Sequence, residues 1–262
     1  MIHLFALLSL LLCGVCYTGF QNSSHFHNTS NRRSLLLLVF GGALLLRLLL
    51  AYTTHGFSND IACFAAWADR IFTSGPGQFY SAEMFTDYPP GFMYVLYLIG
   101  ALRSLLQIPY YSDLHILLLK LPAILCDIAC GFLLYREAVK RLHFSDLQGI
   151  FAASAYLFQP AVILNSSCWG QVDSVYTLMI ILMCLFLMKG NLLPAYAVYG
   201  LGVLLKPQML IFTPVLLAGI WDHVFLQDFS WRKFFYNLCG PSVRSFRINR
   251  CNLTIYFNVG IL

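Results

Sequence analysis

Seven apolar windows, at residues 2–20, 34–52, 114–135, 149–164, 173–188, 192–205 and 209–225, constrain this chain more than any other feature. A helix that crosses a bilayer needs about 20 predominantly apolar residues, and several of these windows approach that length. The soluble alternative makes all seven core helices, and 262 residues cannot enclose so many on every side. Composition agrees: 59% of residues are hydrophobic and 10% charged, against about 25% charged in ordinary soluble domains. The sequence therefore predicts an all-α, polytopic transmembrane bundle. An eighth segment, residues 89–106, is apolar but short.

Residues 1–33 read as an uncleaved hydrophobic helix with a polar linker, residues 34–229 as the membrane domain, and 230–262 as a basic, Asn-rich tail. His3 is the lone candidate for a positive n-region and no Ala-x-Ala site follows, so a cleaved signal peptide is disfavoured. The formal charge of +5 follows from Lys and Arg in short loops between apolar runs. Positive-inside bias explains that distribution, so membrane lipids and not nucleic acid are the expected partners. Cys13 and Cys16 form a CxxC inside an apolar run with no βαβ context, and Cys126 and Cys130 share a helix face without His or carboxylate partners. No metal site is expected from them.

Charge also orients the helices. With Arg32 and Arg33 cytosolic, residues 34–52 run outward and deliver residues 53–88 to the external side. Arg136, Lys140 and Arg141 then require residues 114–135 to run inward. Residues 89–106 cannot be a simple crossing under that constraint. They are expected to be an interfacial or re-entrant helix packed on protein, with Arg103 reaching toward headgroups. Alternation beyond that point puts four polar motifs on one external face: Asp60, Asp87-Tyr88-Pro89-Pro90, Trp169-Gly170-Gln171-Val172-Asp173 and Lys206-Pro207-Gln208.

Each motif has a structural and a chemical reading. Asp60 precedes Ile61, Phe64, Ala65 and Ala68 at helical spacing, so it is either an N-cap or a general base in a partly dry cleft. Asp87-Tyr88-Pro89-Pro90 starts a helix with Pro at its first position, and Asp87 or Tyr88 can line the same cleft. Asp173 can cap the next helix, while Trp169 offers a platform for a sugar face and Gln171 an amide for two hydroxyls. Lys206 either snorkels to headgroups or clamps a phosphate. Lys120 and Asp127, about two turns apart, are read as an internal pair across helices, and Arg47 as reaching the outer boundary.

The order of these motifs, over residues 34–225, resembles the GT-C superfamily of integral-membrane glycosyltransferases, and within it the dolichyl-phosphoglucose-dependent glucosyltransferases, the Trp169-Gly170-Gln171-Val172-Asp173 version looking bacterial. The resemblance implies inverting transfer of a hexose from a polyprenyl-phosphate carrier to a hydroxyl of a glycan, lipid or protein acceptor. It makes Asp60 the catalytic base and sets Lys206 facing the carrier phosphate. Asp87, Tyr88, Trp169, Gln171, Asp173 and Gln208 become substrate-binding candidates. Neither a cofactor nor a metal is implied. The expected setting is the extracytoplasmic face of a bacterial plasma membrane, or the endoplasmic reticulum in a eukaryote. Family members usually continue through several more membrane helices, so residues 230–262 read as a truncated or frame-shifted tail. The competing expectations are a membrane transporter, with polar residues along a substrate path, and a non-catalytic membrane fragment.

Overall fold

A computed structural model of the chain describes residues 11, 12, 14, 17–19, 32–80 and 85–221. Most of window 2–20, Cys13 and Cys16, and the tail 230–262 lie outside the described residues. Among those described there is no strand. The elements in order are α1 (Arg32–Thr53), α2 (Ser58–Ser74), a 3₁₀ turn (Pro76–Gln78), α3 (Pro90–Leu105), α4 (Asp113–Lys140), α5 (Asp146–Leu157) and α6 (Pro160–Ile163). A π-helical segment (Leu164–Trp169) leads to α7 (Asp173–Met188), α8 (Leu192–Leu205), a second 3₁₀ segment (Pro207–Phe212) and α9 (Thr213–Trp221).

Helices α1, with 22 residues, and α4, with 28, are long and apolar enough to cross a membrane. A third candidate is the pair Asp146–Leu157 and Pro160–Trp169 read as one span bent by 52°. Pro160 explains the bend: proline supplies no amide for the helical ladder, and it forces the residue before it out of helical geometry. Gln159 is accordingly extended, at φ −63° and ψ 120°. The remaining windows depart from full spans. Helices α7 and α8 have 16 and 14 residues, and 209–225 divides, within its described part, between the 3₁₀ segment and nine-residue α9.

The helices alternate in direction. Arg32, at the start of α1, meets Asp146, at the start of α5, at 3.1 Å and Tyr135 near the end of α4. Arg141 donates to the Met188 carbonyl at the end of α7. At the opposite end, His55 stands 3.7 Å from Asp113, at the start of α4, and the Phe57 amide donates to the Trp169 carbonyl at 2.9 Å.

Helices α2 and α3 form a hairpin over this second end. The buried face of α2 (Ile61, Phe64, Ala65, Trp67, Ala68, Ile71) packs on Phe92, Met93, Leu96 and Ile99 of α3, as the helical spacing of its apolar residues predicts. The same cluster takes in Ile116 and Leu119 from α4, Val172 and Val175 at the start of α7, and Leu205 at the end of α8. The cluster also reaches Cys126, farther along α4, but both termini of α3 stand at this end of the bundle: Gly91 lies against Leu204 at the end of α8, and Leu105 leads within a short loop to Asp113 at the start of α4. Close approach depends on Gly100, where a Cβ would stand 2.5 Å from the Ala68 carbonyl oxygen, and on Gly91, equally tight against the Leu204 carbonyl. Arg103 does not reach out from α3. Its guanidinium pairs with Asp69 of α2 and lies 5.7 Å from the Tyr110 ring, because an acidic partner one helix away satisfies the charge at the hairpin itself.

Within the bundle the charges pair differently from the sequence expectation. Arg47 is wholly buried and bonds Asp127 at 3.2 Å, with neither side chain exposed. Its remaining donors reach the Leu157 carbonyl (2.7 Å), at the break between α5 and α6, and the Ala43 carbonyl (3.2 Å). Asp127 also accepts from Ser166 Oγ (2.6 Å) and Tyr156 OH (3.2 Å). Lys120, two turns away on α4, takes carbonyls instead. A buried polar group without a partner costs several kcal/mol, on the order of 2–7, so each of the two cations sits where a broken or ending helix offers backbone oxygens, and Asp127 where Arg47 and two hydroxyls donate to it.

Candidate functional site

Gly56 begins the site by turning the chain. Its φ of +80° lies in the left-handed region, and a Cβ there would stand 2.8 Å from the Trp169 carbonyl oxygen. Only glycine fits both demands. Phe57 follows as the N-cap of α2, extended, with no side-chain capping bond. Asp60 is thus the third helical residue and not the cap, which corrects one of its two readings. Its carboxylate turns across to the other loop. Gln171 Nε2 donates to Oδ2, and Trp169 Nε1 donates to the same oxygen at 3.3 Å. Oδ1 has no hydrogen bond within the described residues.

The facing turn is built by the π-helical segment and Gly170. Gly170 has φ +87°, and a Cβ would meet Ile61 Cδ1 at 2.6 Å. The Asn165 carbonyl accepts both the Gly170 amide (3.1 Å) and the Gln171 amide (2.9 Å). Trp169 is left half exposed, its ring 5.4 Å from that of Phe57.

Two residues after Gln171, Asp173 begins α7 without capping it; Val172 holds the N-cap place and no side chain caps the helix. One Asp173 oxygen takes Lys206 Nζ, and the other accepts Asn165 Nδ2 at 2.9 Å. Lys206 ends α8 in extended geometry ahead of Pro207, which turns its side chain inward to 8% exposure. Its ammonium lies 5.8 Å from the Tyr88 ring and 5.6 Å from the Tyr176 ring, within cation–π range.

Tyr88 packs against Phe64, Trp67 and Phe92 with centroids 5.5–5.7 Å apart, and its carbonyl accepts Tyr80 OH at 3.0 Å. Burial pushes the Tyr88 phenol well above its ordinary range, and the charges of Asp173, Asp87 and Asp60 add to that. The phenol is a neutral donor rather than a base. Cys63 is raised in the same way, by burial first and then by Asp87 and Asp60. Asp87 is exposed and does not cap α3, whose N-cap is Pro89 with Pro90 at the first position. The helix-start reading of the Pro-Pro pair holds.

The structure thus brings seven of the eight predicted site residues to one end of the bundle as two linked groups, Asp60 with Trp169 and Gln171, and Asp173 with Lys206 and Tyr88, with Asp87 at their edge. The eighth, Gln208, is exposed on the second 3₁₀ segment and makes no polar contact with the others among the described residues. Asn165 and Tyr176 were missed. Tyr176 follows Asp173 at helical spacing and was legible; Asn165 depends on the π-helical widening, which leaves no local signal. Among the described residues no group of three His, Cys, Asp or Glu side chains is placed to hold a metal.

Chemically, the arrangement offers a carboxylate fixed through one oxygen with the other open, an exposed indole beside it, and a lysine nearby paired with the Asp173 carboxylate. Compared with protein-family models, curated proteins and solved structures, the chain matches none.

Proposed function

We propose that this chain is built as a membrane glycosyltransferase that moves a hexose, with inversion, from a polyprenyl-phosphate carrier to an acceptor hydroxyl at the extracytoplasmic face. The observation that carries the reading is the Asp60 carboxylate, held through Oδ2 by Gln171 and Trp169 instead of capping its helix. Oδ1 is then the atom that takes the acceptor proton as the acceptor oxygen attacks the anomeric carbon and the bond from that carbon to the phosphate oxygen breaks. The displaced polyprenyl phosphate takes up the electron pair. Lys206 stabilises it by exchanging Asp173 for a phosphate oxygen, a swap suited to a compact cation with three donors. Trp169 and Gln171 serve the sugar, one through its face and the other through its amide.

In this reading the chain is a polytopic bundle whose basic end, with Arg32 and Arg141, is cytosolic, and the α2–α3 hairpin lies in the outer interface. The exposed apolar face of α3, including Tyr94, Leu98 and Leu105, suits lipid. The test is direct: purified chain in lipid vesicles is given a panel of polyprenyl-phosphate hexoses and acceptor glycans. At least one hexose is expected to be transferred, with its anomeric configuration inverted; retention of configuration, or no transfer from any member, overturns the proposal.

A second reading, transport, is favoured by one observation, the buried Arg47, Lys120 and Asp127 inside the bundle. All three are saturated by protein partners, which weighs against a substrate path. Labelled sugar accumulating inside vesicles without transferred product would favour it.

A further inference from the structure

Lys120 is fully buried, and no carboxylate is among its bonding partners. Its ammonium bonds the Thr54 carbonyl at 2.6 Å, Thr54 Oγ1 at 3.1 Å, the Ala51 carbonyl at 3.2 Å and the Ser167 carbonyl at 3.0 Å. Those oxygens belong to two separate stretches of chain. Ala51 and Thr54 end α1 and lead directly into Gly56 and the helix that carries Asp60. Ser167 belongs to the π-helical segment that delivers Trp169 and Gln171. Thr54 Oγ1 also lies 3.3 Å from the Ser167 carbonyl, and the two stretches are joined again by the bond from the Phe57 amide to the Trp169 carbonyl. The lysine stem passes beneath the turn, where a Cβ on Gly170 would meet Lys120 Cε at 3.3 Å.

Desolvating an ammonium is unfavourable, and apolar packing alone does not need one. What a cation supplies at this point, and an apolar residue does not, is simultaneous attraction to the carbonyl ends of two helical segments, where the backbone dipoles are negative. We propose that Lys120 is the positioning residue of the site: it ties the α1 end to the π-helical end and so sets, from beneath, the register of Asp60 against Trp169 and Gln171. Its kinetic consequence rests on the transferase reading; its structural consequence does not.

The experiment therefore has two arms. In the first, the full chain is labelled with 5-fluorotryptophan and its ¹⁹F resonances are recorded, the signals of Trp169 and Trp67 being assigned by Trp→Phe substitution at each. Lys120→Met is expected to move the Trp169 resonance by more than its linewidth, as Asp60→Asn should by removing the indole's charged acceptor, and to leave that of Trp67 in place. Trp67 reports on the hairpin core, where its indole donates to the Phe85 carbonyl. Thr54→Val, which removes one Lys120 partner and keeps the charge, should move the Trp169 signal in the same direction by less. Should Lys120→Met fail to fold, Thr54→Val decides. An unmoved Trp169 resonance in the folded variants overturns the proposal, and so do equal shifts at Trp67 and Trp169, which would make Lys120 a general packing residue. In the second arm, kcat for sugar transfer is expected to fall about 10- to 100-fold, with the KM for the donor changing less than about threefold. A wild-type chain without transferase activity would defeat the functional reading while the resonances still judged Lys120.

Discussion

Arg47 and Asp127 face each other at 3.2 Å with no exposure, so each supplies the opposite charge that the other's hydroxyl or carbonyl partners do not. Removing one partner strands the second. Arg47→Met or Asp127→Leu alone is expected to destabilise the fold by about 3–5 kcal/mol, while the double replacement recovers most of that loss; unfolding titrations of the four chains in one detergent measure the coupling, and additive losses would contradict it. The charges Arg47, Lys120 and Asp127 were visible in the sequence, but their partners were not. Arg47 and Lys120 each bond backbone carbonyls, and which carbonyls are left free depends on where a helix breaks. The aspartates teach the same lesson. Asp60 and Asp173 precede apolar helical runs and look like caps, yet each lies inside its helix and bonds a side chain from another segment. Local spacing reports the helix that follows a carboxylate, and it carries nothing about a partner 111 residues away, as for Asp60, or 33 away, as for Asp173.

At the scale of elements, the α2–α3 hairpin is the platform on which Asp60 and Tyr88 stand, and its seam is set by a glycine. Gly100→Ala would place a Cβ 2.5 Å from the Ala68 carbonyl, a backbone atom that cannot rotate away, so the helices must part. We expect a loss of about 1–3 kcal/mol, as in overpacked cores, with the Trp67 indole released from the Phe85 carbonyl; a blue-to-red shift in tryptophan emission together with a lower unfolding midpoint checks it, and an unchanged midpoint contradicts it. Much of this element was legible. The apolar spacing of α2, the Pro-Pro start of α3 and the shortness of residues 89–106 all follow from periodicity and proline chemistry. Less legible was the break in residues 149–164. An apolar run keeps its hydropathy through Pro160, and the π-helical widening after it, beyond which Asn165 holds Gly170, Gln171 and Asp173, leaves no trace in that hydropathy.

For the whole molecule, alternating helix directions bring residues from position 60 to position 206 onto one end, and that gathering is what makes a site out of four short motifs. Its two halves share the turn between Gln171 and Asp173: one residue faces Asp60, the other Lys206. The measurement that bears most directly on the account is therefore transfer from a polyprenyl-phosphate hexose by Asp60→Asn beside the unsubstituted chain, at matched folding as judged by the Trp67 signal. Loss of a general base lowers the rate by about 10²- to 10⁴-fold, and Asp60→Asn is expected to lose activity in that range with donor binding retained; an Asp60→Asn chain that transfers sugar at the original rate would contradict the role proposed for Asp60.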